Sequence, residues 1–233
     1  PVPALPDQAE SVRSALEEPV GSASLQQMAS GRRDACVVIS DITRPVPNKV
    51  ILPRLLNTLE EAGIPRERIT ILVATGMHRP NVGQELVSMV GEEIASKYNI
   101  VNHECEKNED LRRITTIEAA PIEINRHYLD ADLKILTGLI EPHFYAGYSG
   151  GRKAILPGIA SYETMKFMHS YQLIDHPKVA NCVLEGNIFH EYGQQVMDLA
   201  GADFLLNVVV NRDNAVSGIF AGDPHQAHLR GCR

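Results

Sequence analysis

Residues 141–158 read EPHFYAGYSGGRKAILPG, with His143 near one end and Lys153 near the other. Gly147, Gly150 and Gly151 free the backbone to turn its N–H groups inward as a nest for an anion. Arg152 and Lys153 add two cationic side chains. Histidine changes charge near neutral pH and is the usual general base. The loop lacks GxxxxGK[ST], and no Ser or Thr follows Lys153, so it is not a Walker A loop. GxGxxG is also missing. The plainer alternative is a surface loop with Arg152 and Lys153 in solvent.

Two other stretches carry similar groups. SDITRPVPN (40–48) presents Asp41, Thr43 and Arg44, with Pro45 and Pro47 stiffening the rest of the loop. A planar guanidinium suits bidentate recognition of carboxylate or phosphate. The alternative is that Asp41 caps a helix and Arg44 pairs with it. ATGMHRP (74–80) presents His78 after Gly76. It is either a base or a solvated loop histidine. His169, in MKFMHS (165–170), falls on a predicted helix, where apolar neighbours make a core histidine the default. The other histidines form no HExxH pair, and His225 and His228 are treated as incidental.

The elements around these stretches decide whether they can meet. DACVVISD (34–41) and RITILVATG (68–76) are short, β-branched runs of buried-strand type. NKVILPRLLNTLEEAG (48–63) lies between them with helical spacing, Gly63 as its stop and Pro53 near its start. Strand–helix–strand predicts a parallel βαβ unit. Residues 82–98 read as a helix broken at Gly91, and 100–104, 112–117, 122–129 and 133–139 as strands. The segment 112–129 is expected to form a hairpin added to the sheet. Helices are expected over 160–173 and 187–201, and a strand pair over 203–211 and 215–223. The fold predicted is one α/β domain over 1–233, with a mostly parallel, Rossmann-like sheet flanked by helices. Ligands in such sheets bind beyond the carboxyl ends of the strands, where all three polar loops fall.

Composition bounds the partners. There are 22 Lys and Arg against 29 Asp and Glu, a net charge of −7, which argues against a nucleic-acid binder. No apolar run is long enough for a bilayer, and the first residues lack the pattern of a signal peptide. Cys36, Cys105, Cys182 and Cys232 form no CxxC pair, which predicts reduced thiols in a cytoplasmic protein.

DITRPVP, ATGMHRP and EPHFYAGYSGGRKAILPG, followed by a helix carrying MHS, occur in this order across roughly 34–224. The combination resembles the lactate racemase family, whose members use a nickel-pincer nucleotide. The resemblance implies a pyridinium mononucleotide whose two thiocarboxylate-derived arms hold nickel. One arm is joined covalently to a lysine, here Lys153, and a histidine, here His169, completes the metal coordination. His78 and His143 match the acid/base pair. Asp41, Thr43 and Arg44 match the segment lining the cofactor and substrate anion, and the Gly150-Gly151 backbone is expected near the phosphate or arms. The implied reaction inverts a small 2-hydroxy acid. Hydride leaves Cα for the cofactor while a base takes the hydroxyl proton, and its return to the opposite face of the planar 2-keto acid inverts the centre. Two enantiomers present that proton at different places, which suits two bases better than one.

Family members are about twice as long. This implies a first, cofactor-binding domain whose C-terminal partner domain closes the site, and cofactor-biosynthesis proteins as further partners. Loading by those proteins implies that a heterologous preparation can be empty. The alternative from the residues alone is a non-catalytic phosphate- or nucleotide-binding module built on the glycine loop. A metal-dependent hydrolase ranks below both, because no metal-type histidine cluster supports it.

Overall fold

The computed structural model describes residues 2–233. In chain order the elements are α1 (Gln8–Glu17), α2 (Leu25–Ala29), β1 (Ala35–Ser40), α3 (Asn48–Glu61), β2 (Ile69–Ala74), α4 (Gln84–Val90), α5 (Glu92–Lys97), β3 (Asn99–Asn102), β4 (Leu111–Ile117), β5 (Ala120–Asn125), α6 (Arg126–Leu129), β6 (Leu133–Leu139), β7 (Pro142–His143), β8 (Gly147–Tyr148), α7 (Tyr162–Met168), α8 (Tyr171–Ile174), α9 (Ile188–Ala200), β9 (Phe204–Val210), β10 (Val216–Gly222) and α10 (Pro224–Gly231).

Six strands form the central sheet in the order β10-β9-β6-β1-β2-β3. Every neighbouring pair is parallel except β9 with β10. Alternate side chains feed two cores. Val37, Ile39, Ile71, Val73 and Ile135 face buried residues of α1 to α5. Cys36, Val38, Leu72, Leu136 and Leu205 face the β4–β5 hairpin and α7 to α9. Burial on both faces is why these strands are apolar without alternation. Ser40 pairs with Ala74, and Val38 with Leu136, so β1, β2 and β6 end side by side. The three loops singled out in the sequence leave that common edge.

Several local expectations need correction. The β4–β5 hairpin is a separate two-stranded sheet. It packs through Ile117, Ile122 and Ile124 onto the central sheet. The strand expected over 122–129 ends at Asn125, whose side chain accepts the His127 N–H and starts α6. The helix expected over 160–173 divides in two. α7 ends at Met168 with His169 as its C-cap, and Ser170 is the N-cap of α8. Helices α1, α2 and α10 were not expected. Of α1's residues only Val12 and Leu16 are buried, so its apolar stripe is too thin to read as a pattern.

Candidate functional site

The loops after β1, β2 and β6, with the end of α7, enclose a cleft of about 250 Å³. Asp41, Thr43, Arg44, His78, His143, Gly150, Lys153 and His169 all line it. Gly151 does not. A Cβ there would stand 2.8 Å from the His228 ring, so this glycine lies behind the cleft wall. A larger groove of about 790 Å³ between α9 and α10 holds none of the expected site residues.

His78 is set by the loop after β1. Its Nδ1 lies 2.7 Å from Asp41 Oδ2, and the Thr43 hydroxyl donates to Asp41 Oδ1 at 2.7 Å. Asp41 is buried, so its carboxylate is fixed and the Nδ1 proton of His78 has a defined acceptor. That leaves Nε2 as the ring's free nitrogen, the arrangement a general base requires. Asp41 thus gives one carboxylate oxygen to His78 and the other to Thr43, while both residues line the cleft. Arg44 does not pair with Asp41. It meets Glu141 at 3.3 Å, with both side chains well exposed. An exposed pair of this kind is weak, so the guanidinium remains available to a carboxylate ligand.

His143 and Lys153 meet across the cleft floor, with Nε2 and Nζ 2.7 Å apart. His143 Nδ1 accepts the backbone N–H groups of Tyr145 and Ala146, each at 3.2 Å. A ring nitrogen that accepts carries no proton, so the imidazole proton sits on Nε2. Nε2–H can then only donate, and Lys153 Nζ must receive it on a lone pair. The geometry thus requires a neutral amine. Burial pushes the Lys153 amine down to about 7, with the charges of Arg152 and then Arg44 adding to it and Glu141 opposing. His143 is pushed down to about 3, by burial first and then by Lys153, Arg44, Arg152 and His169. At pH 7 the imidazole is uncharged and roughly half of the amine is in its free, nucleophilic form.

His169 is fixed by the helix end. Its Nδ1–H donates to the Met165 carbonyl at 2.9 Å, so Nε2 is the nitrogen left for a ligand. Its ring stands edge-on to Tyr145 and Phe189, with centroids 6.3 and 5.8 Å away. A neutral imidazole held through one nitrogen is the usual form of a metal-binding histidine. Among the described residues no group of three or more His, Cys, Asp or Glu could hold a metal ion. A metal at His169 would need most of its donors from another molecule.

The glycine loop is stiffened by a residue not singled out in the sequence. Asn207, fully buried in β9, accepts the Gly151 N–H at 2.8 Å. That N–H is not open to a ligand, so the expected anion nest is at least partly filled by the protein itself. An asparagine within the apolar run FLLNVVV was the available signal. Gly150 has φ +74°, and a Cβ on it would come within 2.6 Å of Asn207 Oδ1 and 2.9 Å of Ile140 Cγ1. Gly150→Ala is expected to cost about 2–4 kcal/mol of stability, measured by urea unfolding. On the far side, Gly76 N–H donates to the Gly158 carbonyl at 3.0 Å and ties the His78 loop to the loop after β6. Buried His103 supports the same wall, with Nε2 at 2.9 Å from the Ala160 carbonyl and Nδ1 facing Asn125. Burial pushes His103 down to about 4 and keeps it neutral.

Residues 1–181 match the lactate racemase N-terminal domain family. The chain is 41% identical to a lactate racemase from Lactiplantibacillus plantarum over 96% of this chain and 53% of that protein. It is 38% identical to a lactate racemase from Thermoanaerobacterium thermosaccharolyticum over 95% of this chain and 52% of that one. The chain therefore spans about half the length of the curated relatives it matches. The structure of the lactate racemase apoprotein from T. thermosaccharolyticum superposes with a TM-score of 0.94 at 37% identity, covering 98% of this chain and 55% of that one. A crystal structure of a protein from Thermotoga maritima matches with a TM-score of 0.77 at 24% identity, over 96% of this chain and 57% of that chain, and speaks to the fold alone. No helix among the described residues is long and apolar enough to cross a membrane.

Proposed function

Because the chain belongs to the lactate racemase N-terminal domain family, we propose that it is the cofactor-bearing half of a racemase or epimerase for a small, lactate-like 2-hydroxy acid. The observation that carries the proposal is the meeting of two unlike histidine devices in one cleft. His78 is braced by Asp41 and Thr43, and His143 is held against the Lys153 amine.

The nickel-pincer nucleotide suits these residues. It needs a nucleophilic lysine, which Lys153 supplies, and one further nickel donor, for which His169 Nε2 is free. Its other metal donors would come with the group itself. When bound, the group supplies a reversible hydride acceptor beside the substrate's Cα.

The rest falls to the protein. Arg44, in its weak pair with Glu141, receives the substrate carboxylate. His78 Nε2 takes the hydroxyl proton from one enantiomer, and Asp41 keeps the ring oriented as it does so. His143 serves the other enantiomer. Its Nε2 proton is held by the amine in the free protein; linkage of Lys153 to the cofactor would take away that lone pair, and the ring acts as a base once Nε2 has given up the proton. Phe144, Met77 and Ile42 stand exposed at the loop ends around the cleft. The remainder of the protein closes over this apolar rim, and dedicated biosynthetic proteins deliver the cofactor.

Racemisation by the full-length protein in D2O tests the reaction type. Hydride transfer keeps the original hydrogen on Cα, so protium is expected to persist through many turnovers. Deuterium appearing at Cα at the rate of inversion would mean proton abstraction, and the proposal would fall.

A further inference from the structure

The Arg-Lys pair of the glycine loop splits. Lys153 enters the cleft, while Arg152 turns into the protein and is 1% exposed. All the partners of Arg152 are neutral. Its Nη2 donates to the carbonyls of Ala146 and Tyr148 at 2.5 and 3.1 Å, and its Nη1 lies 3.1 Å from His228 Nε2. No carboxylate among the described residues pairs with it. His228 Nε2 also lies 2.9 Å from the Ser149 carbonyl. A lone pair there serves only Arg152 and a proton only Ser149, but either form is uncharged, since burial pushes the ring down to about 3. The slot is built for this side chain. Helix α9 carries Gly193 where the Arg152 stem passes, and a Cβ there would come within 2.7 Å of Arg152 Cγ.

A buried guanidinium without an anion is expensive to keep and is a poor choice for stability alone. Its contacts lead to the cleft. Arg152 holds the Ala146 carbonyl, the Ala146 N–H holds His143 Nδ1, and His143 Nε2 meets Lys153 Nζ. We propose that Arg152 is the positioning residue for the Lys153 amine: it pins the 143–148 turn that fixes the His143 ring against that amine. Its charge, buried without an anion, adds to burial in disfavouring the protonated amine. The role deepens the reading of Lys153 as the attachment point, because only an unprotonated amine is a nucleophile.

The groups facing the amine are few. His143 and Glu141 come from the loop after β6, Arg44 from the loop after β1, and Arg152 from the adjacent position in the chain. His78 and His169 line the same cleft from the loop after β2 and the end of α7. Burial lowers the amine's affinity for a proton most, then Arg152, then Arg44, while Glu141 opposes.

The test is trace acetylation of the cofactor-free protein with acetic anhydride over a pH series, with Lys153 read by peptide mass spectrometry. Wild-type labelling is expected to have its midpoint near pH 7. In Arg152→Gln the midpoint rises, and a rise of about one unit lowers labelling at pH 7 about fivefold. Arg152→Lys keeps the charge but not the planar fork, and its midpoint is expected to stay near the wild-type value. An unmoved midpoint in folded Arg152→Gln overturns the proposal, as does a shift in Arg152→Lys equal to that in Arg152→Gln. If Arg152→Gln does not fold, the wild-type His143 tautomer decides by 15N NMR. A proton on Nε2 upholds the pinned turn, and a proton on Nδ1 overturns it. A Lys153 that labels as described but never acquires cofactor sinks the attachment reading and leaves the Arg152 role standing.

Discussion

Lys153→Ala is expected to abolish cofactor attachment and to lower racemisation by the full-length protein by at least about 10³-fold. Lys153→Arg should fail as completely. It keeps a cation, but a guanidinium stays protonated and offers no nucleophilic lone pair. The fold should tolerate either change, because among the described residues the one side-chain partner of Lys153 is His143. The linkage supports this. A lysine lowered to about 7 in the folded state binds its proton more tightly in the unfolded chain, so it favours unfolding increasingly as pH falls below its ordinary value near 10.5. Lys153→Met is therefore expected to be at least as stable as wild type at pH 6. Chiral analysis of lactate, with thermal melts alongside, separates a dead site from an unfolded protein. Residual turnover within tenfold of wild type in Lys153→Ala would remove Lys153 from the mechanism.

The second large effect belongs to the His78–Asp41–Thr43 relay. Asp41→Asn is nearly isosteric, yet it should cost about 10²–10⁴-fold in kcat. The Thr43 hydroxyl donates to the side-chain oxygen that faces it, which holds the new amide with its oxygen toward Thr43 and its NH2 toward His78. Nδ1 must then accept instead of donate. The ring proton moves to Nε2, where it blocks the nitrogen that should take the substrate's proton. His78→Ala should fall in the same range. Because the two enantiomers of lactate have equal free energy, kcat/KM must fall equally in both directions whichever histidine is lost. An Asp41→Asn variant with full activity would show that His78 does not need its orienting carboxylate.

The parts of the fold that position the site were readable because they depend on local pattern. ACVVIS and ITILVA are short, β-branched runs apolar on both faces and bounded by turn residues, the composition of a strand buried on both sides. The polar residues just after them therefore had to lie at the sheet's carboxyl edge. What the sequence hid depends on partners distant in the chain. Arg152 and Lys153 are adjacent and chemically alike, yet one is buried and the other lines the cleft. That difference is created by His228 and Gly193, which nothing local to the loop indicates. Arg44 likewise finds Glu141 rather than Asp41, because Asp41 is already committed to His78 and Thr43. His169 fell on a predicted helix because the apolar spacing continues past it. Ser170 interrupts the helix there and starts α8, which turns the histidine into a C-cap facing the cleft.

Peptide mass spectrometry of the full-length protein co-expressed with the cofactor-making proteins, with nickel measured on the same sample, tests the role of Lys153 most directly. The expected result is a mass adduct on the peptide containing Lys153, with nickel in comparable amount, and loss of both in Lys153→Ala. An unmodified Lys153 in an actively racemising preparation would contradict it.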